Sequence, residues 1–245
     1  MMVNRKVLSV VMPAYNEGDK IYANIKKVYS AVAAFCRSFE IIVVNDGSRD
    51  NTAEEVKKAA REISGVRLVS YRKNRGKGGA IKAGVKRAEG QYIAFLDADL
   101  DLPPEQLRDY MRPLEEDQAD VVIGSKMHKD SKIDYPFIRK VISVGYYLML
   151  KLLFQLNVKD TQTGIKIFKA EALKPIIDLI RTDGFAYDIE ILIAVNSRHY
   201  RIMEMPVQLV FTRENGMGRI HLKDIWKALI DTLAIFYRAR KKYYK

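Results

Sequence analysis

Apolar positions in the first half of the chain follow two alternating rhythms. Residues 7–12, 40–44, 66–70, 91–96 and 120–123 are short runs rich in β-branched side chains, the pattern of strands covered on both faces. Between them, residues 19–35, 52–63, 79–88 and 104–114 repeat apolar side chains at the helical period. Strand and helix in alternation predict an open, mostly parallel α/β sheet. In such a sheet ligands sit beyond the carboxyl ends of the strands. The loops that fall there read PAYNEG (13–18), NDGSRDN (45–51), KNRGKGGA (73–80) and DADLDLPPEQL (97–107), and polar residues concentrate in them.

After about residue 125 the rhythm changes. Residues 133–157 form a long apolar and aromatic segment with Arg139, Lys140 and Lys151 set into it. A short strand at 165–168, helices near 170–180 and 187–198, a strand pair within 201–211 and a helix from about Leu222 follow. With no internal repeat and no linker, residues 1–220 read as one catalytic-type domain. Its first half (1–125) carries the ligand-binding loops and its second (126–220) packs on the carboxyl edge of the sheet. Residues 221–245 then form a C-terminal amphipathic helix with a basic tail.

Composition narrows the chemistry. A chain of 245 residues that is 48% hydrophobic, with 14 Gly and 7 Pro, is a folded globular protein and no low-complexity segment. Its single cysteine, Cys36, and three histidines exclude a disulfide framework and a cysteine zinc site, so any metal must use oxygen ligands. The formal charge of +12 points to an anionic partner: nucleic acid, an acidic membrane surface or a phosphorylated small molecule. The longest near-apolar run, 141–150, ends at Lys151, well short of the ~18–20 residues of a spanning helix, and residues 1–6 carry no signal core. The expected location is therefore cytoplasmic.

Three loops carry candidate chemistry. Asp97, Asp99 and Asp101 alternate at a strand exit, where carboxylates can share one Mg²⁺ or Mn²⁺ completed by water and phosphate oxygens. An EF-hand does not fit, because Leu102 and Arg108 stand where that loop needs Gly and Glu. The plainer reading of Asp101 is a cap for the helix that follows. Asn45-Asp46-Gly47-Ser48 reads either as a turn or as a carboxylate offered to a base or ribose; PAYNE puts Tyr15 and Glu17 on the same edge. The glycine-rich loop 73–80 offers backbone N–H groups and Lys77 to an anion, although it lacks the spacing of a P-loop.

PAYNE, NDGS, NRGKGGA and DADLDLPPE, in that order at strand ends, resemble the nucleotide-sugar half of inverting glycosyltransferases of family 2, which have the GT-A fold. Downstream, Gly124-Ser125-Lys126, Arg139-Lys140 with Ser143, DTQTGIKIF (160–168), FAYDIEIL (185–192) and TRENGMGR (212–219) resemble polyprenyl-phosphate sugar transferases, closest to dolichyl-phosphate glucose and mannose synthases. DTQTGIKIF and the Tyr187-Asp188-Ile189-Glu190 stretch lean toward the glucose type.

The resemblance implies transfer of a hexose from a nucleotide sugar, UDP-glucose by preference, to a dolichyl or polyprenyl phosphate. GDP-mannose as donor and a soluble acceptor are the alternatives; a nucleic-acid-binding module leaves the three aspartates unexplained. Pro13, Tyr15, Glu17 and Asp46 would contact the nucleoside, with Lys77 near the base or ribose. Asp97, Asp99 and Asp101 would hold Mg²⁺ or Mn²⁺. Lys126 and Arg213 would face phosphates, and Arg139, Ser143 and Arg219 would serve the acceptor. Asp99, Asp160 and Arg213 would carry the catalytic work, Asp160 as base or as an orienting group. Lys126 stands where the family often has Arg, Asp101 where it has Gln or Ser, and Gly218-Arg219 where mannose synthases have Ser-Lys. The implied partners are a nucleotide sugar, the lipid phosphate, the cytoplasmic membrane surface reached peripherally through 221–245 and 133–157, and a membrane-anchoring subunit where one is needed.

Overall fold

A computed structural model describes residues 6–131, 137–184, 186–209 and 222–245, the side chains of 137–143 and 222–229 apart. Seven strands form one sheet: β1 (Leu8–Ala14), β2 (Phe39–Asp46), β3 (Val66–Tyr71), β4 (Tyr92–Phe95), β5 (Val121–Ser125), β6 (Lys166–Lys169) and β7 (Ile202–Pro206). Their order across the sheet is β3-β2-β1-β4-β6-β5-β7. Only β6 runs against its neighbours, pairing antiparallel with β4 and β5.

The helices are α1 (Ile21–Ala33), α2 (Thr52–Glu62), α3 (Lys77–Val85), α4 (Leu107–Glu115, entered through a 3₁₀ turn at Pro104–Gln106), α5 (Phe137–Phe154), α6 (Ala170–Ile177), α7 (Tyr187–Ser197) and α8 (Leu222–Arg240). Successive residues of a strand face opposite sides. Ile41 and Val43 accordingly enter the core beneath α1, α2 and α4, while Ile42 and Val44 enter the one beneath α3, α6 and α7. Both faces being covered, the strands read as continuous apolar runs. On α1, Ile21, Ile25, Val28 and Val32 recur at helical spacing and are fully buried.

The predicted alternation is present, with two differences. The strand pair expected within 201–211 is, among the described residues, one strand, β7, which pairs in parallel with β5. Within the basic tail Tyr244 is buried, its carbonyl accepting from Arg198 Nε at 2.8 Å, while Arg240, Lys241, Lys242 and Lys245 are exposed. The described part of α8 also departs from an apolar-inside pattern. Thr232 and Ile235 are buried, whereas Ile230, Leu233 and Tyr237 are exposed.

The direction of β6 matters most for the site. Because it is antiparallel, its first residue, Lys166, pairs with the last residue of β4, Phe95, and with Ile123 of β5. The turn 160–165 therefore arrives at the carboxyl edge, beside the exit of β4.

Candidate active site

The exit of β4 is held from below. Asn24 of α1, buried, donates from Nδ2 to Ala98 O at 2.8 Å. Leu100 then takes a left-handed φ of +54°. That conformation costs a non-glycine residue roughly 1–2 kcal/mol, and it turns the chain within the Asp97–Asp101 run. Asp97 and Asp99 are both partly exposed at this edge.

Lys77, the first residue of α3, places Nζ 2.6 Å from Asp97 Oδ1. Lys77 thus stands beside the Asp97 carboxylate. Burial opposes its charge, but Asp97 and Asp188 outweigh burial and lift its pKa above the usual lysine value. Behind this pair lies a second one that sequence reasoning missed. Lys166, 1% exposed, donates from Nζ to Asp188 Oδ1 and to Thr163 O, at 2.6 and 2.5 Å. Burial pushes the Asp188 carboxyl up against the pull of Lys166 and Lys77. A signal was present: Lys166 is the lone charge in the apolar run of Ile165–Phe168, and such a charge in a central strand needs a partner.

The glycine-rich loop spends its donors internally. Asp46, 4% exposed, accepts from Arg75 N–H (2.8 Å, Oδ1) and Gly76 N–H (2.9 Å, Oδ2). Gly78 N–H donates to Asp183 O at 2.9 Å. These three N–H groups brace the loop. Its glycines allow close approach, since a Cβ on Gly78 would lie 2.6 Å from Tyr187 Cβ and 2.9 Å from the carbonyl oxygens of Thr182 and Asp183.

The PAYNE and NDGS loops lock together. Asn16 N–H donates to Ser48 Oγ (3.0 Å), Arg49 N–H to Asn16 Oδ1 (2.9 Å), and Glu17 N–H to Thr52 Oγ1 (2.9 Å). Tyr15 stands exposed on this ledge beside the exit of β1, where Pro13 is part of the strand.

Asp160 is the hub of its turn. Oδ2 accepts from Lys126 N–H (2.9 Å) and Thr163 Oγ1 (2.6 Å), and Oδ1 from Gln162 N–H (3.1 Å). Glu204 of β7 in turn accepts from the backbone N–H of Lys159 and Asp160, at 3.0 and 3.1 Å. A carboxylate so engaged positions Lys126 and the 160–164 turn. Arg213 and Arg219 lie outside the described residues, as do the side chains of Arg139 and Ser143.

Among the described residues no three His, Cys, Asp or Glu side chains close on one point as a complete metal cage. Mg²⁺ and Mn²⁺ seldom need one, for one or two carboxylates, water and substrate phosphates fill their shell. Asp97 and Asp99, partly exposed at a strand exit, fit that donor set.

A family model described as glycosyl transferase family 2 matches residues 9–177. The chain belongs to glycosyl transferase family 2. Among curated family members it is similar to the dolichyl-phosphate beta-glucosyltransferase ALG5C of Trichomonas vaginalis, 31% identical over 94% of this chain and 71% of that protein. The dolichyl-phosphate beta-glucosyltransferase of Saccharomyces cerevisiae is 32% identical over 82% of this chain and 66% of its own length. In structure the chain resembles glucosyl-3-phosphoglycerate synthase of Mycobacterium tuberculosis, solved with UDP, at a TM-score of 0.68 and 19% identity, covering 94% of this chain and 79% of that one. Mannosyl-3-phosphoglycerate synthase of Rubrobacter xylanophilus gives 0.69 at 16% identity, over 97% and 74%. The fold is the expected GT-A fold.

Proposed function

We propose that this family 2 glycosyltransferase moves glucose, with inversion, from UDP-glucose to a dolichyl or other polyprenyl phosphate. The observation that carries the reading is the likeness to dolichyl-phosphate beta-glucosyltransferases across almost the whole chain, including the turn 160–165 that packs against Asp97.

The chemistry follows from charge. An acceptor phosphate oxygen attacks the anomeric carbon from the face opposite the nucleotide while the bond to the β-phosphate oxygen breaks. The phosphate monoester, with a second pKa near 6, is already an anionic nucleophile at neutral pH and needs no base. Asp160 accordingly has a positioning role, setting Lys126 at the phosphates. Asp97 and Asp99, with Asp101 beside them, would hold Mg²⁺ or Mn²⁺, which supplies positive charge to the departing diphosphate. Lys77, fixed beside Asp97, adds a cation at the same end, while Tyr15 and Glu17 sit on the ledge suited to the nucleoside. Cations aimed at developing charge favour the transition state over the ground state. Arg139, Ser143, Arg213 and Arg219 belong on the acceptor and phosphate side.

A polyprenyl phosphate stays in the bilayer, so the site must meet the membrane. No helix among the described residues is long and apolar enough to cross one. Val144, Leu148 and Leu152 make an exposed stripe on α5, and Ile230, Leu233 and Tyr237 make another on α8; Leu152 is 84% exposed. The two helices touch, Phe154 meeting Phe236 edge-on at 5.8 Å. With Lys151, Arg240 and Lys241 exposed beside them, this face suits peripheral binding to an anionic cytoplasmic leaflet, with or without an anchoring subunit.

The test is a panel of UDP and GDP sugars with a short polyprenyl phosphate and Mg²⁺ or Mn²⁺, read as label extracted into organic solvent. Glucose from UDP-glucose is the expected product. Label confined to the aqueous phase means a soluble acceptor; mannose from GDP-mannose alone means the other donor.

A further inference from the structure

Glu190 lies in the first turn of α7, away from the four loops at the sheet's carboxyl edge, yet it is 0% exposed. Its carboxylate accepts four hydrogen bonds. Oε2 takes Arg181 N–H (3.0 Å) and Thr182 N–H (2.8 Å); Oε1 takes the Tyr244 hydroxyl (2.6 Å) and Arg238 Nη2 (2.8 Å). That fills the roughly four acceptor sites of a carboxylate. One oxygen therefore holds residues 181–182 and the other holds Arg238 and Tyr244, at and beyond the last turn of α8.

Both ends continue into structure. Toward the C-terminus, Arg238 Nε also donates to the Tyr244 hydroxyl (3.0 Å), Arg198 Nε to Tyr244 O (2.8 Å), and Arg181 Nε to the Tyr243 hydroxyl (2.9 Å). Toward the donor site, Asp183 O accepts from Gly78 N–H at 2.9 Å, and Lys82 of α3 binds Asp183 Oδ1 and Ile180 O at 2.5 and 3.1 Å. Gly76, at φ +84°, has room for no side chain, because a Cβ there would lie 2.7 Å from Asp183 O. The loop carrying Lys77 is thus pressed onto residues 180–184, which Glu190 holds.

We propose that Glu190 is a positioning residue for the donor site and that Tyr244, with Arg238, is its clasp, so that docking of residues 238–244 sets the position of the glycine-rich loop and of Lys77. A buried carboxylate that loses donors on Oε1 must reorganise, and Arg181 and Thr182 share the strain through Oε2. The kinetic consequence rests on the donor reading given above; the mechanical link does not.

The test uses the full chain with Tyr244→Phe, which removes only the hydroxyl, and Glu190→Gln, which keeps the shape. Hydrogen exchange without nucleotide should show the amides of Gly78, Arg181 and Thr182 exchanging faster in both variants, while those of β1 and β2 stay protected. With Mn²⁺ present, the Kd for UDP and the KM for UDP-glucose should rise about threefold to tenfold, the share of a charge-assisted hydrogen bond that reaches the loop. The KM for lipid phosphate should hold, while kcat falls along with donor affinity because Lys77 moves off the departing diphosphate. Faster exchange confined to residues near Tyr244, with Gly78 unchanged, overturns the linkage. A lower melting temperature with unchanged Kd and KM also overturns it, leaving Glu190 a merely structural group. A wild-type chain that binds neither UDP nor GDP would instead count against the donor reading, and the exchange pattern at Gly78 would still decide the linkage.

Discussion

Gly164 and Asp97 share one space. A Cβ on Gly164 would overlap Asp97 Oδ2 and lie 2.7 Å from its Cγ, so the turn before β6 rests directly on the carboxylate at the exit of β4. Gly164→Ala must therefore push that carboxylate off its position against Lys77. Overpacking of this kind costs about 1–3 kcal/mol, or about tenfold to a hundredfold if it falls on the chemical step. Turnover should drop by that amount and the Mn²⁺ titration of activity should shift to higher metal. An unchanged metal curve would remove Asp97 from the metal site.

Asp99→Asn should lower turnover by orders of magnitude while leaving the circular dichroism spectrum intact, because the amide keeps the shape and loses the charge that a divalent ion needs. Near-normal rates with saturating Mg²⁺ or Mn²⁺ would sink the assignment.

Lys166→Met leaves Asp188 buried without its ion pair. Removing one partner of a buried pair costs about 3–5 kcal/mol, and urea denaturation should read that loss. The Lys166→Met/Asp188→Asn double variant should recover much of it. A single variant as stable as the wild type would mean that water reaches Asp188.

Acid sensitivity should centre on Asp120. Hydrogen bonds from Arg201, helped by Lys169 and opposed by burial, hold its carboxyl well below the usual range. A depressed native pKa contributes stability above the unfolded value of about 4, and that stability is lost as pH falls through the native pKa. Asp120→Asn should therefore cost about 1–2 kcal/mol at neutral pH and flatten the loss of stability below about pH 4. Denaturation midpoints measured from pH 2 to 7 check the slope; parallel curves for the two proteins would refute the role.

Arg139→Ala should raise the apparent KM for the lipid phosphate, or abolish transfer, without weakening UDP binding, since two approaching anions need cations beyond one metal ion. Equal loss of donor affinity in calorimetry would place Arg139 on the diphosphate instead.

The strands and helices of the first half were legible because each obeys a local rule. A parallel sheet covered on both faces needs unbroken apolar strands, and helices such as α1 need an apolar face every 3.6 residues. Asp97, Asp99 and the four loops could be placed at one edge for the same reason, since strand direction alone puts their ends together. What no local pattern carried was which distant groups would meet there. Gly164 on Asp97 depends on β6 running antiparallel between β4 and β5, a matter of sheet order. Strand direction puts Asp46 at the ligand edge, but no local pattern showed that its oxygens would also accept from backbone N–H groups 29 and 30 residues away. The basic tail read as a membrane-facing segment, and no local pattern showed that Tyr244 within it would be buried on Glu190, 54 residues upstream. Burial makes an unpaired carboxylate costly, so the fold supplies partners from wherever the chain returns, and sequence periodicity does not record where that is.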